Sequence, residues 1–162
     1  MTATVDLTFD YVNRQARPYP AHLLPEGGTG LALFSAGFHG WNDCIHMARK
    51  EMRVHCVDTD ADRLWEMAAI YPEGWAFEVA DAWECAERAV RRGEKWDVVS
   101  VDPFFGDAAE QAWETLYLWT SLARSVVTLT VRPDTRLNTP DGWTAGYFPR
   151  SSGAAWMVLR RG

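Results

Sequence analysis

The sequence lacks most of what would staple, anchor or export a chain. It has three cysteines, Cys44, Cys56 and Cys85. An odd count with no CxxC pair and no CxxC…H spacing argues against a disulfide framework or a zinc site. All three lie in apolar-patterned segments and read as buried free thiols. No apolar run approaches the length of a membrane span. The opening residues, MTATVDLTFDYVNRQ, have neither a basic start nor an apolar stretch, so no signal peptide is expected. A cytoplasmic protein without a membrane partner is the expectation. Cations are also short: 16 Lys and Arg stand against 22 Asp and Glu, a net charge of −6. Phosphate binding needs a basic face, so this balance argues against gripping long duplex nucleic acid by charge alone. No G-x-G-x-x-G is found after the first strand, which removes the main support for a nucleotide-dependent dehydrogenase. No internal repeat and no low-complexity tract is present.

What remains is a globular composition. The 162 residues are 48% hydrophobic and 23% charged. That length fits one domain with a sizeable core. Nine tryptophans, at 41, 65, 75, 83, 96, 113, 119, 143 and 156, are an excess that composition does not explain. Residues 1–30 read as an irregular N-terminal segment, broken by Pro18, Pro20, Pro25 and the cluster from Gly27 to Gly30, with a short strand over Thr4–Phe9. Residues 31–162 read as one domain.

From Leu31 the patterns alternate. Strands are expected at Leu31–Ala36, Arg53–Val57, Trp75–Val79, Asp97–Val101 and Ser125–Val131. Helices are expected at Asn42–Met52, Ala61–Tyr71, Ala82–Arg92 and Ala108–Arg124, with Leu64, Trp65 and Ala68 inward on the second and Trp83, Ala86 and Val90 inward on the third. Pro133–Gly142 reads as a loop, and Trp143–Phe148 with Ala154–Arg160 as a hairpin across residues 149–153. Four β-then-α units in series require a mostly parallel sheet with helices on both faces. The expected fold is therefore α/β: a three-layer Rossmann-like sheet with a C-terminal antiparallel hairpin.

In such sheets ligands bind outside the carboxyl ends of the strands, where strand order reverses. Four features fall at successive carboxyl ends: the turn Ser35-Ala36-Gly37-Phe38-His39-Gly40, then Asp58, Asp81 and Asp102. A glycine turn entering a helix lets a ligand approach the backbone amides. An acid about 20 residues on accepts from a ribose diol, and Asp58 lies 21 positions after Gly37. Asp81 can accept from an adenine amino group while the amide of Ala82 donates to the ring. The set describes an adenosine-shaped site, and Asp58 disfavours a 2′-phosphate. His39 reads equally as a ligand contact or as a rim histidine holding the turn.

LFSAGFHGW, VDTD (57–60), VADAW (79–83) and VDPFF (101–105) together resemble the motifs of class I S-adenosylmethionine-dependent methyltransferases over Leu31 to Val131. The first two look most like cytosine-5 DNA methyltransferases. That group's Pro-Cys nucleophile is absent here, because Phe104 and Phe105 follow Pro103, which excludes covalent C5 chemistry. Asp-Pro-Phe-Phe instead resembles the Asp-Pro-Pro-Tyr/Phe motif of amino-group methyltransferases acting on nucleobases in DNA or RNA. The resemblance implies S-adenosylmethionine as cofactor, held by Ser35, Ala36, Gly37, Phe38, His39, Gly40, Trp41, Asp58, Thr59, Asp81, Ala82 and Trp83. It implies an acceptor side built from Asp102, Pro103, Phe104 and Phe105. It also implies a seven-stranded sheet whose last strand is antiparallel.

No separate target-recognition domain is expected at this length, so a nucleic-acid acceptor calls for a protein partner or a local arginine patch. Arg132, Arg136 and Arg150 are the candidates, with solvated surface charge as the plainer reading. A small-molecule acceptor, and a methyltransferase fold that binds without catalysing, remain open beside the nucleobase reading. Trp65, Trp113, Trp119 and Trp156 are expected to pack the scaffold, Trp41 and Trp83 to wall the adenosine site, and Trp75 and Trp96 to flank strand starts.

Overall fold

A computed structural model describes residues 19–35, 40–103, 106–149 and 153–162; for residues 40–42 it describes the backbone only. The Thr4–Phe9 strand and the turn of the C-terminal hairpin lie outside the described residues. A 3-10 turn at Ala21–Leu23 leads into β1 (Thr29–Leu33). There follow α1 (Gly40–Arg49), β2 (Arg53–Asp58), α2 (Ala61–Ile70), β3 (Ala76–Val79), α3 (Ala82–Arg92) and β4 (Trp96–Val101). The chain ends in α4 (Asp107–Glu114), α5 (Leu116–Leu122), β5 (Ala123–Val131), β6 (Trp143–Pro149) and β7 (Ala155–Arg161).

The seven strands form one sheet in the order β3-β2-β1-β4-β5-β7-β6. β1 to β5 pair in parallel, and β7 is antiparallel to both β5 and β6. The order reverses between β1 and β4. No helix lies between β5 and β6; the chain crosses there as the expected loop.

Alternation along the strands sends side chains to two apolar layers. On one side Leu31, Leu33, Val57, Val99, Val101, Val127 and Leu129 meet Ala82, Cys85, Ala86 and Ala89 of α3 and Trp119 and Leu122 of α5. On the other, Ala32, Val54, Cys56, Val98, Val126 and Val158 meet Cys44, Met47 and Ala48 of α1, Leu64 and Met67 of α2, and Tyr19 and Leu24 ahead of β1. Helix ends follow local rules. Asp60 and Asp81 cap α2 and α3 by accepting from the amides of Arg63 and of Trp83 and Glu84. Gly93 closes α3 at φ 69°, a left-handed position that suits a residue without Cβ.

Three expectations are corrected. The single helix over 108–124 is two, because the chain turns at Thr115 (φ −105°, ψ 28°). There the Thr115 hydroxyl donates to Gln111 O and accepts from Trp83 Nε1, while Trp119 Nε1 donates to Ala112 O. Trp65 is 55% exposed: α2 buries Leu64 and Met67, and a residue one step from Leu64 is turned about 100° off that stripe. Val90 is 45% exposed at the margin of the Cys85–Ala86–Ala89 face. The other helix and strand limits shift by a few residues at most, as with α1, which ends at Arg49 rather than Met52.

One buried ionisable group stands out beneath this packing. His46 of α1 stacks on Tyr19, with ring centroids 4.6 Å apart and planes 10° apart. Tyr19 also meets Trp156 edge-on at 5.1 Å. Burial, with the Arg49 charge adding to it, lowers the His46 pKa from 6.5 to about 4. The unfolded chain therefore takes up a proton between these values that the folded chain refuses, and stability falls as pH drops from 6.5 towards 4. The loss is on the order of 2–3 kcal/mol. Urea titrations across this range are expected to show a shallower pH dependence for His46→Phe, which keeps the stack, than for the wild type.

Candidate functional site

Register decides which side chains meet. Leu33 of β1 pairs with Val57 of β2 and Val101 of β4, and Asp58 pairs with Val79 of β3. The ladder continues past the strand ends. Ser35 N donates to Val57 O at 3.2 Å, Ala80 N to Asp58 O at 3.0 Å, and Asp102 N to Leu33 O at 3.3 Å. Ser35, Asp58, Asp81 and Asp102 thus stand along one edge of the sheet, on either side of the order reversal.

Each has a defined local setting. Ser35 is buried, and its hydroxyl also donates to Val57 O at 3.3 Å. Before it, Phe34 takes φ 60°, a conformation uncommon outside glycine and a mark of stored strain at the end of β1. Asp58 is partly exposed and accepts from Asp60 N at 2.8 Å, and Thr59 beside it is exposed. Asp81 is occupied as a helix cap: its Oδ1 takes both the Trp83 amide (2.9 Å) and the Glu84 amide (3.1 Å). Ala82 is the first residue of α3, where the amide has no acceptor within the helix. Trp83 stands edge-on to Phe34 at 5.4 Å and bonds Thr115, so its ring links the end of β1 to the α4–α5 junction.

Asp102 and Pro103 are buried at the end of β4. Thr130 Oγ1 of β5 donates to Asp102 Oδ1. Two positions back on the same face, Ser100 Oγ donates to Asp43 Oδ2, in the first turns of α1. Asp43, Ser100, Asp102, Thr128 and Thr130 are all buried. This polar band crosses a face packed mainly with apolar side chains, and sequence reasoning did not single out Asp43, Ser100, Thr128 or Thr130. The signal was there: Val98-Ser100-Asp102 and Val126-Thr128-Thr130 put polar side chains in phase with buried valines.

Ala36, Gly37, Phe38, His39, Phe104, Phe105 and Arg150 lie outside the described residues. The backbone of Gly40 and Trp41 opens α1. Arg132 and Arg136 flank the same edge. Arg132 leans over Trp113 at 5.5 Å, and Arg136 lies over Tyr147 at 4.3 Å while donating to the carbonyls of Pro133 and Thr135.

No protein-family model and no curated protein sequence matches the chain. Solved structures do. HI0767 of Haemophilus influenzae, a proposed methylase, superposes with a TM-score of 0.65 at 16% identity, over 84% of this chain and 88% of that one. The magnesium protoporphyrin IX methyltransferase ChlM of Synechocystis, solved with bound S-adenosylmethionine, gives 0.54 at 15% identity, over 85% and 71%. TrmN of Thermus thermophilus gives 0.58 at 18% identity over 87% of this chain, which spans 46% of that one.

The fold is that of the class I S-adenosylmethionine-dependent methyltransferases. The seven strands, the parallel pairing of β1 to β5 and the antiparallel last strand agree with the expectation from sequence. In this methyltransferase fold Asp81 has a structural task that can be measured without any ligand. Asp81→Ala removes the acceptor of two α3 amides and is expected to cost about 1 kcal/mol in urea unfolding, whereas Asp81→Asn should keep most of the stability.

Proposed function

We propose that the chain is an S-adenosylmethionine-dependent methyltransferase acting on an amino group, with a nucleobase as the acceptor. The observation that carries the proposal is the common edge holding Ser35, Asp58, Asp81 and Asp102 at the strand-order reversal of this fold. The donor set suits the cofactor. A carboxylate at the end of β2 accepts from a ribose diol, and the first amide of α3 donates to an adenine ring. Gly37 and the residues around it, through Trp41, would approach the amino-acid part.

When bound, S-adenosylmethionine supplies a methyl group already activated by its sulfonium. The protein's share is alignment and exclusion of water. Asp102 accepts hydrogen bonds from the acceptor's N–H groups, with the Pro103 carbonyl as second acceptor. This turns the nitrogen lone pair towards the methyl group. Phe105 would stack on the base, with Phe104 beside it on the acceptor side.

A small, uncharged or cationic acceptor is the second reading, and the charge of the edge favours it. Asp62, Glu84, Asp107 and Glu110 stand in the first turns of α2, α3 and α4 on the same side as Asp58 and Asp102. Their placement follows the helix dipoles, yet their field repels phosphate all the same. Arg63 and Arg132 offset it in part, 3.9 Å from Asp60 and Glu110 respectively.

Calorimetry with S-adenosylmethionine and S-adenosylhomocysteine is expected to show binding, weakened in Asp58→Ala by roughly 10- to 100-fold for the loss of charge-assisted hydrogen bonds. A folded sample that releases no heat with either ligand defeats the proposal. Methyl incorporation into single-stranded RNA, DNA and free nucleotides then separates the acceptors. Tryptophan quenching by the same ligands should arise mainly from Trp41 and Trp83; undiminished quenching in both Trp41→Phe and Trp83→Phe would remove them from the site.

A further inference from the structure

Thr130 lies on a buried face of its strand. Val126 and Thr128 precede it on the same face, and Thr130 itself is 6% exposed. Burying a hydroxyl costs free energy unless a good partner receives it. Here the partner is a carboxylate on the neighbouring strand: Thr130 Oγ1 donates to Asp102 Oδ1. A hydrogen bond to an ionised group is roughly twice as strong as one between neutral groups. The β-branched side chain also restricts χ1, so the hydroxyl is presented in few orientations.

The backbone of Thr130 is fixed independently. It pairs with Trp156 across β5 and β7, and its carbonyl accepts from Trp113 Nε1 at 2.8 Å. Trp113 belongs to α4, the helix that follows Asp102 in the chain. That helix is entered through Gly106 at φ 114° and ψ −156°, a conformation all but closed to residues with a Cβ. One residue of β5 is thus bonded through its hydroxyl to the acid at the end of β4 and through its carbonyl to the helix beyond.

We infer that Thr130 is the positioning residue for Asp102, its hydroxyl fixing the rotation of the carboxylate that would receive the acceptor's amino group. The inference rests on the methyltransferase reading for its catalytic consequence and adds a residue that reading does not contain. Thr130 touches neither cofactor nor acceptor in this role. It acts by leaving Asp102 one settled orientation, which an acceptor nitrogen then meets without reorganisation.

The test compares the full chain as wild type, Thr130→Val and Thr130→Ser. Valine keeps the shape and removes the donor; serine keeps the donor. Crystal structures are expected to show the Asp102 carboxylate turned in Thr130→Val and restored in Thr130→Ser. Calorimetric affinity for S-adenosylhomocysteine should stay within about twofold in all three, because Ser35 and Asp58 are untouched. With labelled S-adenosylmethionine and a mixed-sequence single-stranded RNA pool, kcat should fall roughly 10- to 100-fold in Thr130→Val, with KM for the cofactor unchanged and most activity regained in Thr130→Ser. An Asp102 side chain unmoved in Thr130→Val, or a wild-type kcat, overturns the inference. If the wild type binds no S-adenosylhomocysteine, the methyltransferase reading falls by itself and the crystallographic comparison still decides the Thr130–Asp102 relation. Should Thr130→Val not fold, Thr130→Ala removes the same donor with less crowding.

Discussion

Three backbone hydrogen bonds beyond the ends of the parallel strands set the geometry on which the site depends. Ser35 to Val57, Ala80 to Asp58 and Asp102 to Leu33 carry the ladder one step further than the strands themselves. A parallel sheet offers evenly spaced, slanted bonds, so neighbouring strands end at matched heights when their register is kept. Here the matched heights bring a hydroxyl and three carboxyl groups to one edge. The next element after each of β1 to β4 is a helix, whose first amides lack acceptors within the helix.

The price of the arrangement is a polar band in a core face. Asp43 and Asp102 are both buried, and buried carboxylates are tolerated only with hydrogen-bond partners. Ser100 and Thr130 provide hydroxyl donors to them from β4 and β5. Neither serine nor threonine gains anything there that valine would not give, except the donor. On the opposite face the strands bury hydrocarbon such as Leu31, Leu33, Val57, Val99, Val101, Val127, Leu129 and Met157 against α3 and α5.

Much of the architecture was legible because it rests on period. Apolar runs of strand length alternate with helical spacing from Leu31 to Val131, and only a few topologies join such units. Single side chains were harder. Leu64 and Trp65 are adjacent and both apolar, so the sequence gives no reason to turn the larger one outward. The break at Thr115 has no proline or glycine to announce it, and the Thr115 hydroxyl there accepts from Trp83, 32 positions earlier in the chain. The site divided along the same line. Asp58, Asp81 and Asp102 follow strands and could be read from position. Asp43, Ser100 and Thr130 are partners across elements, and a strand threonine looks the same whether it merely favours β structure or feeds a carboxylate.

Asp81 shows how position can suggest a task without excluding another. Its Oδ1 is committed to two amides of α3, a stabilising cap that any helix start would favour. That commitment also fixes the carboxyl group and holds the first turn of α3 at the sheet edge, next to Ala82. Under the proposed function, a ligand there would meet a preorganised acid and amide rather than a mobile side chain, with the entropy of ordering them already met by folding. Capping and recognition are therefore compatible at Asp81, just as strand packing and positioning are at Thr130. In both places a structural bond holds a carboxyl group in place, so on the proposed function the stability of the edge and its recognition of a ligand would draw on the same contacts.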